Sequence, residues 1–235
     1  MGAVRTNDWE IDAAVEATRR VPEILEELRL PSNETALRRL LEELHIGSGQ
    51  NAVAFLSPDE DFVLKIVFDP DQAALSKLAR RKPTDGIVPV ADVYVVGALT
   101  HFRTQRPAWV VIERAVVPID KLEERAEELT GAAKRDAQRV LVAARWALNE
   151  LLTEMVEGRP SKTSPWRPES KLKAAFLWDL RRARQWISRH AVDPSDVEWD
   201  LNESNIGFDP TTESLVVLDL GQTRVAGGTI DAAEE

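Results

Sequence analysis

The chain has 235 residues, of which 43% are hydrophobic and 30% charged, the balance of a soluble globular protein. It contains no cysteine, which excludes disulfides and thiolate metal sites, and its three histidines are far apart, which disfavours a histidine zinc site. Its net charge of −10 argues against a nucleic-acid partner. No run is apolar enough for a membrane helix and the N-terminus lacks a signal-peptide core, so we expect a cytoplasmic protein without a membrane partner.

Apolar residues at helical spacing predict three helices within residues 1–45, a helical extension of the chain. Asn33 stands where it can cap the third of them. The stripes consist of Ile11, Ala14 and Val15; Ile24, Leu25 and Leu28; and Leu37, Leu40, Leu41 and Leu44. This acidic segment carries no chemistry of its own, so we expect it to be a packing layer or a contact surface for a partner.

In residues 46–117 the helical spacing of apolar residues gives way to short strand-like runs separated by turn residues, which predict an antiparallel sheet of five strands. Two strands flank a glycine turn within residues 45–56, a third covers residues 62–68, and two valine-rich strands cover residues 87–96 and 109–117. A short helix is predicted over residues 72–81.

Residues 118–235 predict a compact helical second lobe. One buried stripe runs through Ala137, Leu141, Ala144, Leu148, Leu151 and Met155, and another through Leu172, Phe176, Leu180, Ala183 and Ile187. A polar loop separates these helices at residues 158–168, and a last strand is predicted over residues 215–218. The fold class is therefore α+β, with a sheet lobe followed by a helical lobe.

Glycines mark the first turn of the predicted sheet, in the pattern Gly47-x-Gly49-x-x-Ala52. Such a turn would bring backbone N–H groups close to phosphate oxygens, because side chains at positions 47 and 49 would obstruct that approach. No Gly-Lys-Ser/Thr follows, so this is not the strand-to-helix phosphate loop. A plain glycine hairpin is the structural alternative.

Four polar residues further along stand in positions that suit phosphate or metal chemistry. Lys65 lies within an apolar strand, where a lysine is costly unless it reaches water or meets an anion. Asp200 and Asn205 are five positions apart, and Asp219 follows the last strand, where an acidic group suits magnesium. Taken singly, an exposed lysine and turn-capping side chains explain each of them equally well.

In combination and in this order, these elements resemble the protein-kinase-like superfamily over roughly residues 45–225. The resemblance implies the cofactors ATP and Mg²⁺. Asp200 would be the catalytic aspartate, Asn205 and Asp219 would bind the metal, and Lys65 would act in catalysis on the α- and β-phosphates. The other implied nucleotide contacts are the glycine loop, Gly47, Ser48, Gly49, Gln50, Asn51 and Ala52, and the hinge to the adenine, Glu113 and Ala115.

Two departures from that family's pattern bear on how the protein would work. Glu198 and Trp199 replace the His-Arg that precedes the catalytic aspartate, so control through a phosphorylated activation loop is not expected. No glutamate stands between Glu60 and Glu113, so the usual helix partner of Lys65 is missing. Either an aspartate such as Asp71 or Asp92 substitutes, or Lys65 is held by Asp219 and the nucleotide alone.

The layout, with N-terminal helices and a short segment after Asp219, looks like the small serine/threonine kinases of T7-like bacteriophages. That resemblance implies a protein substrate, either a host protein or the kinase itself. Asp-x4-Asn followed by Leu-Asp-Leu-Gly is also similar to aminoglycoside-type small-molecule kinases. A catalytically impaired pseudokinase acting as a binding module, and an unrelated interaction protein, remain alternatives.

The resemblance gives two expectations for Lys65. Its side chain should point towards Asp219 across a cleft. Lys65→Met should reduce phosphoryl transfer while sparing the fold.

Overall fold

Helices open the chain, a sheet follows, and helices return in the second half. The computed structural model describes residues 8–49, 51–100, 107–158, 168–191 and 201–219. The helices are α1 (Asp8–Arg20), α2 (Glu23–Glu27), α3 (Glu34–Leu44), α4 (Pro70–Arg81), α5 (Ile119–Glu128), α6 (Gly131–Glu157) and α7 (Pro168–His190). The strands are β1 (His45–Ser48), β2 (Ala52–Leu56), β3 (Phe62–Val67), β4 (Val90–Ala98), β5 (Pro107–Arg114), β6 (Val117–Pro118), β7 (Ile206–Asp209) and β8 (Ser214–Val217).

The chain divides into two compact units. Unit one holds the described residues up to Pro83 and from Pro89 to Ala115, and unit two holds Thr84–Val88 and the described residues from Val116 onward. None of the described helices is long and apolar enough to cross a membrane.

Unit one is built on a five-stranded antiparallel sheet in the order β1-β2-β3-β5-β4, which confirms the predicted sheet. Alternation along β3 sends Leu64 and Ile66 to one face and Val63, Lys65 and Val67 to the other. Because β5 lies beside β3, the last residues of β5 are brought next to Lys65 although they are far away in sequence.

Helices α1–α3 cover one face of this sheet. Most residues of the predicted stripes are buried there, while Leu25, Leu40 and Leu44 are partly buried. Asn33 accepts a hydrogen bond from the Ala36 N–H at 3.1 Å, as an N-cap does. The sheet side of this core consists of Val53, Phe55, Leu64, Ile66, Phe68, Val96, Ala108, Val110 and Ile112. The helical extension therefore shares its core with the sheet.

Helix α4 packs on the opposite face, through Ala73 against Val67, Val93, Trp109 and Val111. Its start is fixed by Asp69, whose carboxylate accepts the backbone N–H groups of residues 71 and 72 at 2.8 and 3.1 Å. Pro70 follows as the first helical residue, where its missing N–H costs nothing. Lys65 points to this second face.

The boundaries of the two valine-rich strands differ from the predicted ones. The predicted strand 87–96 begins at Val90, because the residues before it pair elsewhere: the Val88 N–H donates to the Val217 carbonyl at 3.1 Å and the Val217 N–H to the Gly86 carbonyl at 2.8 Å. The predicted strand 109–117 ends at Arg114, and Val117 starts β6, which pairs with β7. Local β propensity does not reveal such a change of partner.

Gly86 is required by the packing of unit two. Its φ is +85°, and a Cβ there would lie 2.2 Å from the Asp179 carbonyl oxygen on α7. We expect Gly86→Ala to destabilise unit two by about 2–4 kcal/mol, because positive-φ strain and overpacking each cost on the order of 1–3 kcal/mol. Gly97→Ala is the matched control, since Gly97 has φ +80° and nothing within 4 Å of its Cβ position. Equal losses in urea unfolding of the two variants would contradict the predicted clash.

The helices of unit two bury most residues of the stripes that the sequence predicts, while Ala137, Met155 and Leu172 are partly buried. Leu141, Ala144, Leu148 and Leu151 of α6 are buried, as are Phe176, Leu180, Ala183 and Ile187 of α7. A small sheet, β6-β7-β8, completes the unit. The polar loop predicted at residues 158–168 lies outside the described residues, apart from its ends.

Asp179 gives unit two a measurable pH dependence. Burial raises the pKa of this carboxyl above its ordinary value of 3.8, although it accepts the Leu215 N–H at 3.1 Å and lies near Arg182. A raised folded-state pKa means that the contribution of Asp179 to stability is lost as the pH rises from 3.8 through that pKa. Asp179→Asn keeps an acceptor for Leu215 and cannot ionise. We therefore expect the stability of the wild type, relative to this variant, to fall between pH 4 and neutrality in urea titrations; a constant difference would contradict it.

Candidate functional site

The glycine turn forms a tight hairpin between β1 and β2. The Gly49 N–H donates to the Ala52 carbonyl at 2.8 Å, and the Phe68 N–H donates to the Asn51 carbonyl at 2.8 Å. Around Gly47 and Gly49 no described atom lies within 4 Å of the position that a Cβ would take. Packing within the described chain therefore does not demand either glycine, and the space that their missing side chains leave suits the approach of a ligand. Gln50 of the predicted loop lies outside the described residues.

Lys65 forms an ion pair with Glu113 on the neighbouring strand. Its Nζ lies 2.5 Å from the Glu113 carboxylate, and the two side chains are only 15% and 6% exposed. Lys65 pairs in register with Val111 and Glu113 with Val63, so the two are diagonal neighbours on one face of the sheet. Ala54 flanks Lys65 on the other side, so its nearest neighbours across both strands are apolar. The lysine is thus held by a carboxylate from its own sheet.

Glu113 was missed as the partner of Lys65. The sequence placed it at the hinge to the adenine, and it offered Asp71, Asp92 or Asp219 as partners of the lysine. Asp92 instead pairs with Arg80 of α4 at 2.9 Å. The signal that could have found Glu113 is the alternation of Trp109, Val111 and Glu113 along β5, which becomes informative once β5 is known to lie beside β3.

The backbone around the predicted hinge is hydrogen-bonded within unit one. The Arg114 N–H donates to the Pro89 carbonyl and the Ala115 N–H to the Asp61 carbonyl, both at 2.9 Å. An adenine that bound the Ala115 N–H would have to exchange this bond. Adenine contacts by Glu113 and Ala115 stay a prediction.

Asn205 and Asp219 lie at one end of the β7–β8 hairpin in unit two. The Leu218 N–H donates to the Asn205 carbonyl at 2.9 Å, directly beyond the paired residues Ile206 and Val217. This bond brings the segment that carries Asn205 beside the segment that ends in Asp219, an exposed residue. The β7–β8 hairpin thus brings together two segments of the chain, those of Asn205 and Asp219, that are fourteen positions apart in sequence.

These two residues fit a magnesium ion by the chemistry of their side chains. Mg²⁺ prefers oxygen ligands, and it is commonly held by one or two carboxylates together with water and substrate phosphates. One carboxylate and one amide oxygen match that pattern. Over the described ranges there is no group of three or more His, Asp or Glu that would hold a metal by itself.

Asp200 lies outside the described residues, but the segment after it is well fixed. The Asn202 side-chain oxygen accepts the Ser204 N–H at 2.9 Å and the Asn205 N–H at 3.1 Å. Glu203 is held twice. Its carbonyl accepts the Ile119 N–H at 3.1 Å, and its carboxylate pairs with Arg145. No sequence signal singles out Arg145, because its partner Glu203 lies 58 residues away.

Arg145 also pairs with Glu123 of α5, at 2.6 Å. Hydrogen bonding to this guanidinium lowers the pKa of the Glu123 carboxyl, and the two carboxylates raise the pKa of Arg145. Glu123 and Arg145 are therefore charged at neutral pH. The segment 201–205 thus adjoins a charged network that α5 and α6 supply.

Solved structures that resemble the chain include a thermostable mutant of aminoglycoside phosphotransferase APH(4)-Ia in three states. The ternary complex with AMP-PNP and hygromycin B is 13% identical with a TM-score of 0.29, over 76% of this chain and 65% of that one. The apo form is 14% identical (TM-score 0.30; 76% and 66%), and a ternary complex with ADP and hygromycin B is 13% identical (0.32; 85% and 70%). The chain thus spans slightly less than two thirds of the first of these structures.

No family profile and no curated protein sequence matches the chain. At such identities and TM-scores the activity of the similar structures does not carry over to this chain. The evidence for function therefore lies in its own residues.

Proposed function

We propose that the protein is an ATP-dependent phosphotransferase. The observation that carries this proposal is the ion pair of Lys65 with Glu113, on the sheet whose first hairpin holds Gly47 and Gly49. A lysine in a largely apolar setting is expensive, and a carboxylate that fixes its position makes it a defined cation for an anionic ligand. Asn205 and Asp219 supply oxygen ligands of the kind that nucleotide-bound magnesium takes.

Each residue has a separate task in this proposal. Lys65 and the backbone N–H groups of residues 47–52 bind phosphate oxygens. Asp200 orients the attacking hydroxyl and accepts its proton. Asn205 and Asp219 would hold Mg²⁺, which would neutralise triphosphate charge when bound. Phosphoryl transfer asks a protein mainly for positioning and electrostatic stabilisation, and in our proposal these groups supply both.

The pairing of Lys65 with Glu113 bears on the pseudokinase alternative. The missing helix glutamate favours a protein without activity, as does the replacement of His-Arg by Glu198 and Trp199. A carboxylate from β5 performs the same electrostatic task, since it holds the lysine in a fixed position. We therefore favour an active enzyme, with residues 46–117 as its nucleotide lobe and residues 118–235 as the lobe with the catalytic and metal-binding loops.

We further propose a protein hydroxyl as the acceptor, on the resemblance to the small serine/threonine kinases of T7-like bacteriophages. The acceptor would be a host protein or the kinase itself, and α1–α3 are candidates for the partner contact. An aminoglycoside-type small molecule is the alternative acceptor, because Asp-x4-Asn followed by Leu-Asp-Leu-Gly is similar in both groups.

Incubation with γ-labelled ATP and Mg²⁺ tests the proposal. The wild type is incubated alone, with a panel of proteins and with aminoglycosides, and MgATP binding is measured in parallel by calorimetry. Label on protein supports the protein acceptor, and label on the aminoglycoside replaces it by the small-molecule acceptor. Binding without transfer to any acceptor or to water would leave the pseudokinase, and absence of binding would refute the nucleotide site.

A further inference from the structure

The segment that carries Asn205 is held by two different elements of unit two. From α6, the Arg145 guanidinium makes a two-pronged contact with the Glu203 carboxylate, with Nε to Oε1 at 2.9 Å and NH2 to Oε2 at 2.8 Å. The same guanidinium contacts Glu123 of α5 at 2.6 and 3.3 Å. A planar fork that meets a carboxylate in this way fixes both distance and orientation.

The start of α5 provides the second attachment. Pro118, at its N-cap, gives no side-chain cap, so the first N–H groups of the helix need another acceptor. The Glu203 carbonyl supplies it, accepting the Ile119 N–H at 3.1 Å and the Asp120 N–H at 3.4 Å. Glu203 is therefore held through its main chain by α5 and through its side chain by α6.

The position of Glu203 is passed on to Asn205 over a short distance. The Asn202 side chain bonds to the N–H groups of Ser204 and Asn205, which closes a turn around Glu203. The Asn205 carbonyl then accepts the Leu218 N–H, next to Asp219. A displacement of Glu203 would therefore displace the candidate metal ligands, because turn and hairpin are hydrogen-bonded in series.

We propose that Arg145 and Glu203 are positioning residues, whose ion pair holds the segment 201–205 so that Asn205 faces its metal ion. The inference rests on the proposed function, because it assigns Asn205 to magnesium. In this proposal Arg145 acts through Glu203 and not on substrate or metal directly. The pair acts through the chain's own charges, so the segment is ordered before nucleotide or metal arrives.

The structural alternative is an ion pair without consequence. Arg145 and Glu203 are 37% and 36% exposed, and exposed pairs often contribute little to stability. This pair differs from an isolated one by its two-pronged geometry, by the third charge of Glu123 and by the carbonyl cap on the same residue. The role proposed here concerns orientation, which stability measurements alone would miss.

Glu203→Gln and Glu123→Gln form a matched pair for the test. Both remove one carboxylate from Arg145, but only Glu203 belongs to the segment with Asn205. In the metal-free protein, we expect amide hydrogen exchange at residues 203–205 to quicken several-fold in Glu203→Gln and to stay unchanged in Glu123→Gln. The Mg²⁺ concentration for half-maximal transfer should rise about tenfold in Glu203→Gln, which is the lower end of the affinity loss expected when a residue that supports a metal ligand is removed. In Glu123→Gln it should stay within about twofold of the wild type.

Arg145→Lys provides the second variant, since it keeps the charge and loses the fork. It should show the same faster exchange and higher Mg²⁺ requirement. Combining it with Glu203→Gln should add little, because both changes break the same interaction between Arg145 and Glu203. Unchanged exchange in both single variants would overturn the inference. If the wild type transfers phosphate and the Mg²⁺ requirement of Glu203→Gln is normal, the positioning role fails while the proposed function stands. If the wild type transfers none, the proposed function fails, and the exchange data alone decide whether the pair orders the segment.

Discussion

Lys65→Met is expected to destabilise unit one by about 3–5 kcal/mol, because it removes the ammonium group that faces the buried carboxylate of Glu113. The Glu113 side chain is only 6% exposed, so water cannot replace the lost ammonium group without rearrangement. From the sequence we expected this variant to spare the fold, because a lysine on the face of a strand is not needed for packing. The ion pair with Glu113 revises that expectation: the variant should lose both transfer and stability.

The double variant Lys65→Met/Glu113→Gln separates the two losses. It removes both charges together, so most of the stability should return in urea unfolding. Transfer should stay low, because no cation remains to bind the phosphates. Lys77→Met on α4 serves as the control for removing a lysine from unit one. Unchanged stability of Lys65→Met would contradict the energetic role of the pair, and full transfer by the double variant would contradict the role of Lys65 at the phosphates.

Asp200→Asn and Asp219→Asn are expected to fail in different ways. Asp200 faces the acceptor hydroxyl in our proposal, so its replacement should leave MgATP binding nearly intact. Turnover should fall by a factor on the order of 10² or more, as the loss of a positioned general base does. Asp219→Asn removes a charge from the metal ligands, so MgATP affinity and turnover should both fall.

Calorimetric titration with MgATP and single-turnover transfer, on both variants side by side, distinguish these outcomes. Asp209→Asn is the control. Asp209 is a buried aspartate of the same hairpin, and its carboxylate accepts the Thr211 N–H in the turn. Transfer by Asp200→Asn at the rate of the wild type would refute the catalytic assignment. Normal MgATP affinity of Asp219→Asn would refute the metal assignment.

The sheet was predictable because its signal is local. Each strand shows its alternation or its run of valines within a few residues, and the glycine turn separates the first two. The order of the strands is not local: β5 follows β4 in the chain yet lies between β3 and β4 in the sheet. Glu113 therefore could not be recognised as the partner of Lys65, although both residues had been singled out.

The boundaries around residues 84–90 illustrate a second limit. Ile87 and Val88 have the β propensity of the strand that follows, but Ile87 forms an isolated parallel bridge with Val217, and the Val88 N–H donates to the Val217 carbonyl. Gly86 gives a hint, since a glycine before a valine-rich run suggests a turn, but the close approach of α7 that requires it is a tertiary contact. Arg145 offered no sequence signal, because an arginine on a predicted helix is most often solvated.

The shared core of α1–α3 and the sheet has a consequence for how the chain folds during synthesis. The three helices leave the ribosome before the sheet that they cover, so their apolar stripes have no complete partner surface until β5 has emerged, since β3 pairs with residues up to Arg114. Isolated helices of 13, 5 and 11 residues are marginal in water. The nascent chain must therefore carry exposed apolar surface over about a hundred residues, the condition under which chaperones are most needed and contact order slows folding.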